Sequence, residues 1–162
     1  MSHEPGLPLG IGLIGVGHHG SRYAKHLLQD LPEARLAAVS RRRTAGGNGL
    51  AFAPAVPCYP DYHELIADPR VAAVVVVTPP ELNREICLAV VQAQKALLVE
   101  KPLAISATDA RAIAQAAQRS GQIMMTAHTL RFDAAVGVLR ERQAQIGALQ
   151  YLSLASRMEP HG

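Results

Sequence analysis

Apolar residues along this chain follow two alternating patterns. Short continuous runs, which predict buried strands, alternate with segments in which apolar residues recur every three or four positions, which predict helices that bury one face. This alternation, with short connections, predicts an α/β fold with a doubly wound parallel sheet in the order 3-2-1-4-5-6. The six predicted strands are Leu9–Ile14, Leu36–Val39, Val56–Tyr59, Val71–Val77, Ala96–Val99 and Ile123–Thr126.

The first predicted helix follows the first strand. Its apolar residues fall on one face, which is expected to pack on the sheet, and Pro32 is expected to end it. That inner face consists of Gly20, Ala24, Leu27, Leu28 and Leu31.

Polar residues mark the starts and stops of other helices. Asp61 is expected to cap a short helix that Asp68-Pro69 stops. Ser106 or Thr108 is expected to cap a later one. A further helix is placed at 44–53, where abundant Gly and Ala obscure the period.

The pattern changes after the sixth strand. Residues 134–145 predict a helix, and Leu149–Ser156 predicts a strand with no place in the first sheet. An unpaired strand exposes N–H and C=O groups, so this tail is expected to pair with another chain in a homo-oligomer, to fold back on a sheet edge, or to be disordered. We divide the chain into a flexible N-terminus, 1–8, a doubly wound domain, 9–130, and a C-terminal segment, 131–162.

Composition narrows the class of protein. The 162 residues suit about one domain, and 49% of them are apolar. No run approaches the roughly 20 apolar residues of a membrane span, and the start lacks the apolar core of a signal peptide, so a cytoplasmic protein is expected.

The net charge of +3 is mild and the basic cluster at 41–43 has no aromatic platform, which argues against nucleic acid as a partner. Cys58 and Cys87 form no metal or redox motif and the histidines show no metal spacing, so no metal site is expected.

A glycine-rich turn, Gly15-Val16-Gly17-His18-His19-Gly20, joins the first strand to the first helix. In a dinucleotide site the first glycine permits the tight turn, the second lets the backbone approach a pyrophosphate, and the third lets the helix lie close on the strand. The helix N-terminus adds free N–H groups and a partial positive charge. We therefore expect a dinucleotide here, with His18 and His19 as loop side chains flanking its phosphates. An ordinary strand-to-helix turn is the alternative.

The residues that end the second strand bear on the choice of cofactor. About 20 residues beyond the last glycine, a carboxylate would bind the ribose hydroxyls of NAD. Here Ser40 is followed by Arg41 and Arg42, and a hydroxyl with guanidinium groups suits a 2′-phosphate. NADP is therefore predicted, with NAD as the alternative cofactor, and Arg43 is expected to face water. A solvated turn is the alternative interpretation of the arginine run.

Lys101 is the candidate catalytic residue because it follows the fifth strand, at the edge of the sheet where such folds bind ligands. An ammonium there can hold a substrate oxygen or shuttle a proton during hydride transfer. The alternative is a surface ion pair with Glu100 in a loop fixed by Pro102. His128, which ends the sixth strand, is a candidate contact for the nicotinamide or an ordinary hydrogen-bonded loop histidine.

Three motifs together resemble the N-terminal half of the glucose-fructose oxidoreductase, inositol dehydrogenase and rhizopine-catabolism (Gfo/Idh/MocA) family. They are the glycine turn, Thr78-Pro79-Pro80, and Glu100-Lys101-Pro102 followed by Leu103, of which the Glu-Lys-Pro tripeptide is the most specific. The resemblance implies that Lys101 contacts substrate and nicotinamide, and that Arg131 and Phe132 correspond to an Arg-Phe/Tyr pair of the family. The residues expected to bind the cofactor are Gly15, Val16, Gly17, His18, His19, Gly20, Ser40, Arg41, Arg42, Thr78, Pro79, Pro80, Glu100, Lys101, Pro102, His128 and Arg131.

The sequence departs from the family pattern in two places. Asn83 stands where the family often has a histidine, which is expected to alter contacts near the cofactor. Family members also carry a C-terminal α/β domain that supplies most of the sugar or polyol pocket, a catalytic Asp and His, and usually the oligomer interface. Only its opening strand is recognised here, so 131–162 is expected to be the start of a second domain that is largely absent.

The resemblance implies an oxidoreductase that moves a hydride between NADP(H) and a sugar- or polyol-like small molecule. The alternative is a non-catalytic dinucleotide-binding or sensor module.

Overall fold

A computed structural model of the chain describes residues 8–42, 49–148, 150, 151 and 153. Within them, six strands form one parallel sheet in the order β3-β2-β1-β4-β5-β6, which confirms the predicted doubly wound fold. The described residues form two compact units, one ending at Ala127 and one beginning at His128. The strands are β1 (Leu9–Ile14), β2 (Ala34–Ser40), β3 (Cys58–Tyr59), β4 (Ala73–Val76), β5 (Ala96–Val99) and β6 (Met124–Thr126).

Helices of the first unit begin where capping residues predict. Asp61 accepts a hydrogen bond from the backbone N–H of His63 at 2.8 Å. Of the two candidate caps for the later helix, Ser106 is the one used, because its hydroxyl oxygen accepts from the N–H of Asp109 at 3.0 Å. The helices of this unit are α1 (His18–Gln29), α2 (Tyr62–Ala67), α3 (Pro80–Gln92) and α4 (Ala107–Ser120).

Apolar residues of the strands face both ways, as a sheet covered on two sides requires. In β4, Val74 and Val76 pack in a cluster with residues of α2, α3 and α4, whereas Val75 packs in a second cluster with residues of α1. Successive side chains of a strand point to opposite faces, so the continuous valine run fills both layers of the core. Because all the described strands are parallel, their carboxyl ends lie at one edge of the sheet.

The first helix is shorter than predicted. It ends at Gln29, so Leu31 lies beyond it, before Pro32. Leu28 is adjacent to the buried Leu27, and a rotation of about 100° per residue places it at the margin of the inner face. Leu28 and Leu31 are each 45% exposed, so their assignment to the buried face is wrong.

The third strand has two residues, Cys58 and Tyr59, and not the four predicted. Pro57 and Pro60 flank it, and proline cannot donate to a strand ladder. Its predicted edge position is confirmed, because among the described strands β3 comes first in the sheet order and pairs with β2. Of the helix predicted at 44–53, residues 44–48 lie outside the described residues, and 49–53 form turns and bends.

The second unit contains a short 3-10 helix, Thr129–Phe132, and α5 (Ala134–Ile146), which confirms the helix predicted there. Asp133 caps α5 by accepting from the N–H groups of Ala135 and Val136 at 2.9 and 3.2 Å. The predicted strand at 149–156 falls largely outside the described residues, and 150, 151 and 153 belong to no strand. Of the N-terminus predicted to be flexible, 1–8, residues 1–7 lie outside the described residues. No helix in the described ranges combines the length and apolarity needed to cross a membrane.

Candidate functional site

The turn between β1 and α1 requires glycine at its first and last positions. Gly15 has φ +94°, and a Cβ there would stand 2.2 Å from the carbonyl oxygen of Val77. A Cβ at Gly20 would stand 2.0 Å from the carbonyl oxygen of Gly15, so α1 begins against the end of the strand. A Cβ at Gly17, by contrast, would meet no atom of the described residues within 4 Å. The turn therefore presents bare backbone to open space at the position where a pyrophosphate is predicted to approach.

The N-terminal end of α1 carries no compensating acid. Gly17 is the N-cap residue, no side chain caps the helix, and its first turn contains no acidic residue. The first N–H groups of a helix lack intrahelical partners and carry partial positive charge, so this end suits an anion. His18 and His19 lie in the first turn of α1, which corrects their prediction as loop residues.

A cleft of about 390 Å³ lies beside the turn, at the carboxyl ends of β1, β2 and β4. Val16 lines an adjoining hollow of about 530 Å³ together with Gly17, Arg41 and Arg42. Among the predicted site residues, the cleft brings together Gly15, Gly17, Ser40, Arg41, Arg42, Thr78 and Pro79. Residues that were not predicted complete its lining: Ile14, Pro60, Tyr62, Val77, Leu82, Glu85 and Ile86.

The end of β2 is fixed to the glycine turn through the backbone. The carbonyl of Ser40, a buried residue, accepts from the N–H of Gly15 at 3.0 Å. Arg41 donates its backbone N–H to the carbonyl of Tyr59 at 3.1 Å, and its guanidinium lies over Gly49, where a Cβ would be 2.3 Å from Nη1. Arg42 is exposed at the cleft. Arg43 lies outside the described residues.

Glu100, at the end of β5, is a buried carboxylate with hydrogen bonds to both of its oxygens. Its Oε1 accepts from the Tyr23 hydroxyl at 2.8 Å and lies 3.0 Å from Nε2 of His19. Its Oε2 accepts from the backbone N–H of Lys101 at 2.8 Å. Because an ionised carboxylate only accepts, the proton of the His19 contact belongs on Nε2.

Burial and hydrogen bonding act in opposite directions on Glu100. Burial alone would raise its pKa, but the hydrogen bond from Tyr23, the N–H of Lys101 and the neighbouring His19 hold the pKa below its ordinary value. Burial, followed by the hydrogen bond and charge of Glu100, raises the pKa of Tyr23 to about 12. The carboxylate is therefore ionised and the phenol protonated at neutral pH.

Lys101 is exposed, at the carboxyl edge of β5. The Lys101–Pro102 peptide bond is cis. Within the described part of the chain, the hydrogen bonds of Glu100 come from His19, Tyr23 and a backbone N–H, and its only ion-pair partner is His19. The ion pair with Glu100 that was the alternative for Lys101 is thus not formed, and the ammonium is left toward solvent.

Asn83, on α3, ties the loop after β4 to the loop after β5. Its Oδ1 accepts from the Thr78 hydroxyl at 2.9 Å, and its Nδ2 donates to the carbonyls of Pro102 and Leu103 at 3.1 and 3.2 Å. The residue is 1% exposed. The departure from the family histidine therefore bears on the position of the loop that carries Lys101.

Several predicted residues lie outside the cleft lining. Pro80 is the first residue of α3, and Glu100, Lys101 and Pro102 follow β5. His128 and Arg131 belong to the second unit, next to and within its short 3-10 helix, and their cofactor contacts stay predictions.

Among the described residues, no group of three or more His, Cys, Asp or Glu side chains is placed to hold a metal ion.

Three functional candidates were missed from the sequence. Tyr23 carried a usable signal, because it stands four residues after His19 and so shares a helix face with it. Tyr62 and Glu85 carried none. They lie on different helices, 23 residues apart, and only the packing of α2 against α3 brings them into one cleft.

Comparison with known proteins gives consistent matches. The family model "Oxidoreductase family, NAD-binding Rossmann fold" (Gfo/Idh/MocA) matches residues 9–128. An inositol 2-dehydrogenase of Paracoccus denitrificans is 30% identical over 157 residues, covering 95% of this chain and 47% of that protein. A 1,5-anhydro-D-fructose reductase of Ensifer adhaerens is 45% identical over 82 residues, covering 51% of this chain and 25% of the reductase.

A solved structure agrees with these relatives. The crystal structure of an NAD binding oxidoreductase from Klebsiella pneumoniae matches with a TM-score of 0.72 and 32% identity, covering 85% of this chain and 39% of that one. The chain spans less than half the length of each of these proteins. With the glycine turn, the sheet order and the Glu-Lys-Pro loop in place, the chain belongs to the Gfo/Idh/MocA oxidoreductase family and carries its NAD-binding Rossmann fold.

Proposed function

We propose that the cleft beside the glycine turn binds a nicotinamide dinucleotide. The observation that carries the proposal is the open space over Gly17 at an uncapped helix N-terminus, between two glycines that permit no side chain. In this proposal the N–H groups at the head of α1 bind the pyrophosphate. The adenosine half would occupy the cleft toward β2 and α3.

NADP is the favoured cofactor in this proposal. Ser40, Arg41 and Arg42 line the same cleft, and no carboxylate follows β2 to bind the ribose hydroxyls or repel a phosphate. Guanidinium groups bind phosphate through charge-assisted and bidentate hydrogen bonds. The arginines would therefore favour a cofactor with a 2′-phosphate.

The reaction we propose is hydride transfer to or from a sugar- or polyol-like substrate. The nicotinamide ring of the bound cofactor supplies the hydride acceptor or donor. Lys101, exposed at the edge of the sheet, would hold the substrate oxygen and give or take its proton. The substrate class is supported by the relatives, which are named as acting on inositol and on 1,5-anhydro-D-fructose.

Cofactor titrations test the phosphate assignment. NADPH and NADH are titrated by nicotinamide fluorescence into the wild-type chain, Arg41→Ala, Arg42→Ala and the control Arg119→Ala, an exposed arginine at the end of α4. Removing a phosphate-binding arginine should weaken NADPH about tenfold or more and leave NADH nearly unchanged, because a charged hydrogen bond contributes about 1.5–3 kcal/mol. An equal loss for both cofactors would reject the assignment.

Turnover tests the catalytic proposal. The chain is incubated with NADP⁺ and myo-inositol or other polyols, and formation of the reduced nicotinamide is followed by absorbance. Lys101→Ala should abolish any turnover and leave NADPH binding in place. Turnover that Lys101→Ala retains would contradict the catalytic role of Lys101.

A further inference from the structure

The end of the cleft between α2 and α3 contains a paired phenol and carboxylate. Tyr62, the first residue of α2, donates its hydroxyl to Oε1 of Glu85 on α3. Both residues line the same cleft as Ser40 and Arg41. Neither belongs to the glycine turn or to the Glu-Lys-Pro loop, so the proposed binding of phosphates and substrate leaves this pair without a role.

The direction of the hydrogen bond in this pair is fixed. Burial, followed by the hydrogen bond and charge of Glu85, raises the pKa of Tyr62 to about 12, so the phenol stays protonated and donates. A carboxylate has about four acceptor sites on its two oxygens and no donor. Tyr62 is the one partner of Glu85 within the described residues, and it engages only Oε1. Acceptor sites of Glu85 therefore remain at the exposed mouth of the cleft.

The walls beside this pair are apolar. Pro60, Leu82 and Ile86 line the cleft there, and they offer flat hydrocarbon surfaces without hydrogen-bonding side chains. Ligand sites that orient a ring commonly combine apolar walls with a few placed polar groups. A planar base that enters between these walls would meet the remaining acceptor sites of Glu85 at its edge.

We propose that Glu85 is a specificity-determining residue that selects a purine with an amino group at position 6. Adenine presents an N6–H₂ donor at this position, whereas unsubstituted purine carries only a C–H there and gives the carboxylate no hydrogen bond. The inference rests on the proposed dinucleotide function and extends it to the base. Tyr62 fixes the carboxylate through its hydroxyl, and the cofactor is thereby recognised at both the base and the ribose phosphate.

Base analogues of the cofactor test this proposal. The dissociation constants of NADPH and of its reduced analogue with unsubstituted purine in place of adenine, which differ only at position 6 of the base, are measured by nicotinamide fluorescence. The wild-type chain should bind NADPH about tenfold more tightly, as expected when a charged acceptor loses its donor. Glu85→Gln should abolish most of this preference, because a neutral amide oxygen accepts the N6–H₂ hydrogen bond more weakly than a charged carboxylate does.

A matched control lies on the same helix. Glu81, in the first turn of α3, is exposed and does not line the cleft, so Glu81→Gln should keep the tenfold preference. Equal affinity of the wild-type chain for the two dinucleotides would overturn the role of Glu85 and leave the proposed function standing. A preference that survives Glu85→Gln would overturn it as well. Failure of both dinucleotides to bind would overturn the proposed function itself.

Discussion

Tyr23 and Glu100 are joined by a 2.8 Å hydrogen bond that links the helix after the glycine turn to the residue before Lys101. The two residues are 77 positions apart in the sequence. The same carboxylate contacts His19 and, through its other oxygen, the N–H of Lys101. One buried acid therefore fixes the candidate catalytic loop relative to the candidate phosphate-binding turn.

Removal of the Tyr23 hydroxyl should destabilise the fold. Tyr23→Phe keeps the ring and leaves a buried, charged oxygen without one donor, which should lower the free energy of unfolding by about 1.5 kcal/mol. Urea unfolding followed by circular dichroism measures the change. Tyr151→Phe is the control, because Tyr151 is 83% exposed and should show no loss. Equal stability of Tyr23→Phe and the wild type would show that the hydrogen bond has no net effect on folding.

Two glycine substitutions should separate folding from binding. Gly20→Ala places a methyl group 2.0 Å from the carbonyl oxygen of Gly15 and should destabilise the domain strongly. The methyl group of Gly17→Ala meets no atom within 4 Å in the described part of the chain, so the melting temperature should stay close to that of the wild type. NADPH binding by Gly17→Ala should nevertheless be lost, because the methyl group occupies the space over the backbone. Wild-type affinity in this variant would contradict the proposed pyrophosphate site.

Replacement of the Asn83 amide by a carboxylate should destabilise the fold. Asn83→Asp turns a donor toward the carbonyls of Pro102 and Leu103 into an acceptor, and the buried site cannot solvate the charge. The free energy of unfolding should fall by about 3 kcal/mol at neutral pH. Gln92→Glu makes the same chemical change at an exposed end of α3 and should be almost neutral. Both variants are measured by urea unfolding. Similar losses in the two would contradict the role of the Asn83 amide in joining the loops after β4 and β5.

Asp68 should make stability depend on pH in acid. Hydrogen bonds from Arg70, with smaller effects that include Tyr59, lower the pKa of Asp68 to about 2 from its ordinary value of 3.8. Because the pKa is lower in the folded state, the stabilisation is complete above about pH 4 and is lost as the pH falls through 2. The loss should amount to about 2 kcal/mol.

The measurement is urea unfolding at several acidic pH values. The difference in stability between the wild type and Asp68→Asn should shrink between pH 4 and pH 2 as the wild-type carboxylate is protonated. Arg70→Gln, which removes the guanidinium and keeps the acid, should flatten the same part of the profile. A constant difference over this range would contradict the assignment to Asp68.

The family motifs were predictable from local pattern, and the order of the sheet was predictable from the rules by which alternating strands and helices connect. Strand β1, the glycine turn, the caps Asp61 and Ser106, and α5 follow from residues close together in the sequence. The ends of the helices and the limits of their buried faces were less predictable. Leu28 and Leu31 fit an apolar period, but the end of α1 at Gln29 decides their exposure.

The alternation of strands and helices, the glycine turn and the residues available at the ends of the strands all follow from local sequence, because hydrophobic period and glycine geometry act over a few positions. Which distant side chains meet depends on the folded chain. Glu100 accepts from the hydroxyl of Tyr23 and forms no ion pair with the ammonium of Lys101. Asn83 donates to the carbonyls of Pro102 and Leu103, and Tyr62 donates to Glu85. These pairings depend on how α1, α2 and α3 pack against one sheet, and no spacing along the chain encodes that packing.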